Sequence, residues 1–154
     1  THNVTPEKGT MGIFVRSYYE DVLVQRVHKW ITEERAQKRI KAINEFEELL
    51  NFDNNTVILK FYLHISREQQ KIELQQRIDD PTKQWKYDPA DWEESKLWDK
   101  YMECYEDVID QSSIKWHIVP VDKRWYRDYL ISKVVCESLE RMKPEFPTFK
   151  RSSA

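Results

Sequence analysis

Glycine is nearly missing from this chain, with two residues, Gly9 and Gly12, in 154. A phosphate-cradling loop of the G-x-x-x-x-G-K-[ST] type is therefore excluded, because no pair of glycines has the spacing that wraps backbone N–H groups around an anion. Cysteine is equally scarce. Cys104 and Cys136 show neither CxxC nor Cys/His spacing, which argues against zinc and gives no basis for a disulfide, so both read as small buried hydrophobes. His2, His28, His64 and His117 lack metal-ligand spacing too, no metal-binding residues are assigned, and no Ser-His-Asp site can be built from them. His64, inside an apolar run, reads as a core or edge histidine. No apolar run approaches the ~18 residues of a membrane span, and no charged segment followed by an apolar one opens the chain. No membrane partner is expected, and cytoplasm is the default location. The net charge of −2 removes a general affinity for nucleic acid or acidic lipid, leaving local charge to select partners.

What is present suffices for a folded domain. Hydrophobic residues make up 40% of the chain and aromatics 13%, which excludes wholesale disorder. The reading is one domain over residues 1–154. Residues 11–15 form an apolar run read as a first strand, and helical spacing follows through Val22, Leu23, Val27 and Trp30. Thr32 then N-caps a second helix whose apolar face is Ile40, Ile43, Phe46, Leu49 and Leu50, ended by residues 51–55. The clearest strand is 56–65, with Val57, Leu59, Phe61, Leu63 and Ile65 alternating with Ile58, Lys60, Tyr62 and His64. Ser66 with Gln69 has the capping-box form and starts a helix to about residue 78. Residues 79–90, broken by Pro81 and Pro89, predict a structured excursion. A long helix with an acidic outer face follows from Asp91, then a strand over 116–121, a helix from Lys123 to Met142 through Trp125, Leu130, Val134, Val135 and Leu139, and a tail over 144–154.

Strands alternating with helices predict an α/β fold, a parallel sheet with helical crossovers. Three strands are too few for such a sheet, which normally has its edges covered, so the sheet is expected to be incomplete in this chain.

The stretch with the most chemistry is Gly12-Ile13-Phe14-Val15-Arg16-Ser17-Tyr18-Tyr19-Glu20-Asp21-Val22-Leu23. An apolar run stops at an arginine and a hydroxyl residue, and a helix begins at once. In open α/β sheets the C-terminal end of a strand is where ligands bind, which puts Arg16 within reach of an anion. Its guanidinium can offer a two-pronged hydrogen-bond fork, although a surface ion pair with Glu20 or Asp21 would use the same group. Ser17 can donate to that anion or cap the next helix. Tyr18 and Tyr19 read as ordinary packing, and Glu20 as a first-turn carboxylate. Adjacent on a helix, Glu20 and Asp21 point about 100° apart and cannot pair as an acid/base couple. Around the excursion, Arg77, Lys83 and Lys86 lie near Trp85 and Tyr87. Such interleaving can stack on single-stranded nucleic acid, but the rest of the chain lacks a basic groove, so no nucleic-acid partner is expected.

The motif from Gly12 to Val24, running on to Arg26-Val27-His28, resembles the second phosphate-site motif of the family 2 polyphosphate kinases. Arg77-Ile78-Asp79-Asp80-Pro81 with Lys83, Trp85 and Lys86 is similar to that family's lid, and Pro120 with Asp122, Lys123 and Arg127 to its last strand-to-helix turn. The resemblance implies a P-loop kinase-like fold and transfer of phosphoryl groups between inorganic polyphosphate and nucleoside mono- or diphosphates. It implies Mg²⁺ carried mainly by the phosphates and a homo-oligomer. It also implies phosphate contacts at Arg16, Ser17, Arg77, Lys83, Lys86, Lys123 and Arg127, with Arg16 and Arg77 catalytic, and nucleotide contacts at Tyr18, Tyr19 and Glu20. Two departures stand out. Val15 occupies a position where the family usually has Asp or Asn, and the phosphate loop is missing, so the chain looks like a C-terminal portion expected to be inactive alone. A non-catalytic assembly module of the same fold and another nucleotide kinase are the rival readings.

Overall fold

The structure, a computed structural model, describes residues 5–146. Its sheet has two parallel strands, β1 (Lys60–His64) and β2 (Trp116–Pro120), in a register that pairs Lys60 with Trp116 and His64 with Pro120. Parallel neighbours need a long connection. Here it consists of α3 (Arg67–Asp79), a 3₁₀ turn (Gln84–Lys86), α4 (Pro89–Ser95) and α5 (Trp98–Asp110). Two helices, α1 (Glu20–Val27) and α2 (Glu33–Asn54), precede the sheet, and α6 (Arg124–Met142) follows it and packs on β2.

Local signals set the helix starts. The Thr32 hydroxyl accepts a hydrogen bond from the Arg35 N–H at 3.3 Å, and Ser66 from the Gln69 N–H at 3.1 Å. Asn55 ends α2 in the left-handed region at φ 53°, which asparagine tolerates better than most residues. The long helix expected from residue 91 is two helices. Asp88 caps α4 through the Ala90 N–H, and tight bonds from Lys96 N–H to Glu93 O and from Leu97 N–H to Glu94 O close it before α5 begins. The excursion is structured as expected: one Asp80 oxygen accepts from both the N–H and the hydroxyl of Thr82, and the Gln84 amide donates to Ile78 O.

The first expected strand is not one. Residues 11–15 have no ladder partner among the described residues, and Ile13 and Val15 are 83% and 97% exposed. The apolar pattern is that of a strand, but a strand needs a neighbour to hydrogen-bond. The same rule shortens the strand expected at 56–65, because β2 offers five partners and residues 56–59 have none. The sheet therefore has two strands where three were expected.

The core lies between α1, α2 and α5, where Tyr19, Val22, Leu23, Ala36, Ile40 and Val108 are buried, with Tyr105 and Trp116 packed against them. On α2 the buried positions are Ala36, Ile40 and Glu47; Leu49, expected on the inner face, is exposed. Cys104 packs against the core, but Cys136 is exposed, contrary to expectation. The buried residue nearby on α6 is Ser138, two positions on and so about 200° around the helix. Trp125, also expected on the inner face of α6, is exposed. Residues 144–146 follow α6 without regular structure; the rest of the expected tail, and His2, lie outside the described residues.

Candidate functional site

The turn entering α1 is fastened by its own bonds. Ser17 Oγ accepts from the Tyr19 N–H at 3.2 Å, and the Ser17 carbonyl from the Glu20 N–H at 3.0 Å. Ser17 thus closes the turn ahead of α1, whose N-cap is Tyr19 without a side-chain cap bond, so Ser17 is not the helix cap that was the alternative to an anion contact. Arg16, one residue earlier, is exposed and makes no hydrogen bond or ion pair among the described residues; the alternative pairing with Glu20 or Asp21 does not form.

Behind the turn lies a buried polar cluster. Glu47, 0% exposed, uses both oxygens: Oε1 accepts from the Tyr18 hydroxyl at 2.5 Å and Oε2 from Lys60 Nζ at 2.6 Å. Lys60, 7% exposed, also donates to the Tyr19 hydroxyl at 3.1 Å and to Ser112 Oγ. Its Nζ lies 5.1 Å from the ring centroids of both Tyr19 and Trp116, a cation–π arrangement on two faces. Burial pushes both phenol pKa values up, with Glu47 adding to the rise at each, though a bond with Ser112 partly offsets it at Tyr19. Burial pulls the Lys60 ammonium down, and Glu47 opposes the fall. Tyr19, 1% exposed, belongs to the core, as the packing reading had it; a nucleotide would not reach its side chain in this structure. Tyr18 and Glu20 are half-buried.

The cations of the excursion have neighbours at hand. Arg77 forms an ion pair with Asp91, Lys83 donates to Gln76 at 2.7 Å with Asp80 at 3.7 Å, and Lys86 lies 4.9 Å over the Trp85 ring. At the other end of the sheet, Asp122 accepts from the Ser66 N–H at 2.8 Å and joins the turns that leave β1 and β2. That backbone bond, with a second bond to Ser66, holds the Asp122 carboxyl below the usual carboxylate range. Lys123 is exposed at the start of α6, and Arg127 pairs with Asp128 at 2.7 Å.

These groups form three separate clusters, with no hydrogen bond or ion pair between them among the described residues. The Tyr19 ring meets the pair that opens the sheet, Lys60 and Trp116, whereas Asp122, Lys123 and Arg127 follow its far end. The expectation that Arg16 leaves the C-terminal end of a paired strand is thereby corrected, since among the described residues no strand precedes it. A hollow of about 430 Å³ lined by Ile40, Lys41, Asn44, Glu45, Glu48 and Gln111 includes none of the candidates. Among the described residues no group of three or more His, Cys, Asp or Glu could hold a metal ion. Sequence reasoning missed Glu47, Lys60 and Ser112. Glu47 could have been found from its spacing, four residues beyond Ile43 and seven beyond Ile40, which places it on the inner face of α2.

Comparison with known proteins bears on the family and the fold. A family model described as polyphosphate kinase 2 matches residues 1–147. The AMP/ADP-polyphosphate phosphotransferase of Meiothermus ruber is 44% identical over 95% of this chain and 55% of its own length. The ADP-polyphosphate phosphotransferase of Rhodopseudomonas palustris is 38% identical over 92% of this chain and 54% of its own. The crystal structure of polyphosphate kinase 2 from Arthrobacter aurescens superposes with a TM-score of 0.93 at 36% identity, over 99% of this chain and 54% of that one. The chain thus spans about half the length of these relatives. With a family model matched over residues 1–147 and a relative 44% identical over 95% of the chain, the chain belongs to the polyphosphate kinase 2 family.

Proposed function

We propose that the whole protein moves phosphoryl groups between inorganic polyphosphate and nucleoside mono- or diphosphates. The observation that carries this reading is Arg16: an exposed guanidinium with no partner among the described residues, on a turn whose Tyr18 and Tyr19 hydroxyls bond to Glu47 and Lys60, in a chain whose relatives are named polyphosphate phosphotransferases. Phosphoryl transfer asks little covalent chemistry of a protein, and most of its catalysis is positioning and charge stabilisation. Arg16 would meet equatorial oxygens through its fork, with Ser17 beside it. Arg77, Lys83 and Lys86 would exchange their present neighbours for phosphate as the excursion closes over the substrate, Arg77 acting with Arg16 in catalysis. Lys123 and Arg127 would hold more distant phosphates, and Tyr18 and Glu20 would border the nucleotide. Mg²⁺ belongs to the proposal as a companion of the phosphate oxygens; the acidic side chains described here do not build a site for it, and no step at Arg16 is routed through it. Cytoplasmic location and assembly of several copies are parts of the same proposal. Among the described residues no helix is long and apolar enough to cross a membrane.

The test is turnover. The complete protein, given polyphosphate and AMP or ADP, is expected to form the next higher phosphate, and the 154-residue chain alone is expected to form none. Phosphorylation that ignores polyphosphate and requires a nucleoside triphosphate donor would make the protein an ordinary nucleotide kinase. Absence of any turnover would favour the assembly-module reading.

The excursion offers a second check. Residues 79–90 hold two prolines, and every one except Asp80 and Lys83 is exposed, so they should be cut early in limited proteolysis of the complete protein. Long-chain polyphosphate is expected to slow that cleavage. An unchanged digestion pattern would remove the lid role from Arg77, Lys83 and Lys86.

A further inference from the structure

Burying two opposite charges away from water costs more than their attraction returns unless every donor and acceptor is used, and apolar residues of similar size often serve stability as well or better. In the Lys60–Glu47 pair the bonds are used. The three ammonium hydrogens go to Glu47, Tyr19 and Ser112, and the two carboxylate oxygens go to Lys60 and Tyr18. A network satisfied in this way is rigid and directional, which an apolar cluster is not.

Its members come from four places in the chain: α2 supplies Glu47, β1 supplies Lys60, the loop after α5 supplies Ser112, and the turn into α1 supplies Tyr18 and Tyr19. Among these, only the turn carries a candidate phosphate contact. Tyr18 lies two residues from Arg16, and the Ser17 Oγ bond to the Tyr19 N–H closes the short stretch between them. With the hydroxyls of residues 18 and 19 held by one charged pair and residue 17 held by the same turn, the position of the Arg16 backbone is set from inside the core. Lys60 itself has no donor left for a substrate.

We propose that Lys60 and Glu47 are positioning residues: a buried ion pair that clamps the Tyr18–Tyr19 turn and so aims Arg16 at the phosphate. The inference rests on the proposed role of Arg16. A clamp of this kind acts on the rate and not on ground-state affinity, because a displacement of about 1 Å in a catalytic group can cost about 10²-fold in rate.

The experiment uses the full-length protein with inorganic polyphosphate and ADP, and compares kcat, KM and thermal melting. The double variant Glu47→Leu with Lys60→Met replaces the pair by apolar groups of similar size. It is expected to melt near the parent temperature while kcat falls about 10²-fold, with KM for polyphosphate nearly unchanged. Tyr18→Phe removes one hydroxyl from the clamp and should lower kcat by about tenfold, a partial form of the same displacement. In an Arg16→Ala background the double substitution should cost less than about threefold more, since residues that act through one another are not additive. If the double variant fails to fold, Tyr18→Phe decides. A kcat within about threefold of the parent in a folded double variant, or in Tyr18→Phe when the double does not fold, overturns the clamp, as does full additivity with Arg16→Ala. If Arg16→Ala by itself keeps parental activity, it is the phosphate role of Arg16 that falls, a result separate from failure of the clamp.

Discussion

Replacing Arg16 by alanine in the complete protein is expected to cut kcat by about 10³–10⁵-fold, the range lost when an arginine that stabilises a transferring phosphoryl group is removed. Its effect on stability should be under about 1 kcal/mol, because an exposed side chain without a partner among the described residues gives little up on truncation. Arg16→Lys separates two explanations. A lysine keeps the charge but presents a single point donor, whereas the guanidinium presents two parallel N–H groups to two oxygens. A loss of comparable size is therefore expected for lysine as for alanine. If Arg16→Lys retained activity within a few-fold of the parent, two-pronged recognition at this position would be excluded, and Arg77, Lys83 and Lys86 would remain as the cations to examine.

Much of the fold was legible because its signals are local. Thr32 and Ser66 cap their helices as their spacing predicts, since a hydroxyl and an N–H three residues on are neighbours whatever the rest of the chain does. The turn at Arg16 was legible for a similar reason: an apolar run, then Arg and Ser, then helical spacing all lie within one short stretch. Strand pairing is different. Residues 11–15 carry the apolar pattern of a strand, yet their ladder depends on a neighbour that the described residues do not supply.

The clamp was illegible for a related reason. Lys60 and Glu47 are 13 residues apart and Ser112 is 52 from Lys60; each alone reads as a polar interruption of an apolar pattern. A charge is tolerated inside only if its partners arrive, and the sequence of one element does not show them. The lid cations fall between these cases. Their residue types are visible in the sequence, but that Arg77 rests on Asp91 and Lys86 over Trp85 follows from the folded excursion.

Breaking the buried pair on one side should be far worse than replacing both partners. Glu47→Leu leaves Lys60 with its side chain 6% exposed and no counter-charge, and it takes from the Tyr18 hydroxyl its acceptor. Removing one partner of a buried pair typically costs about 3–5 kcal/mol, so this single variant should unfold at markedly lower urea than the Glu47→Leu, Lys60→Met double variant. The sign of the pH dependence supplies a second readout. Burial already lowers the Lys60 pKa from its ordinary 10.5, and Glu47 is what opposes the fall. Without Glu47 the folded-state value drops further, so between that value and 10.5 the unfolded chain binds more protons than the folded one, and stability rises with pH. Relative to the double variant, which keeps the same tyrosines but lacks the ammonium, Glu47→Leu is expected to recover stability as pH is raised toward lysine's ordinary range. A single variant as stable as the double at neutral pH, with no such recovery, would show that water reaches Lys60 and that the pair is not sealed in the core.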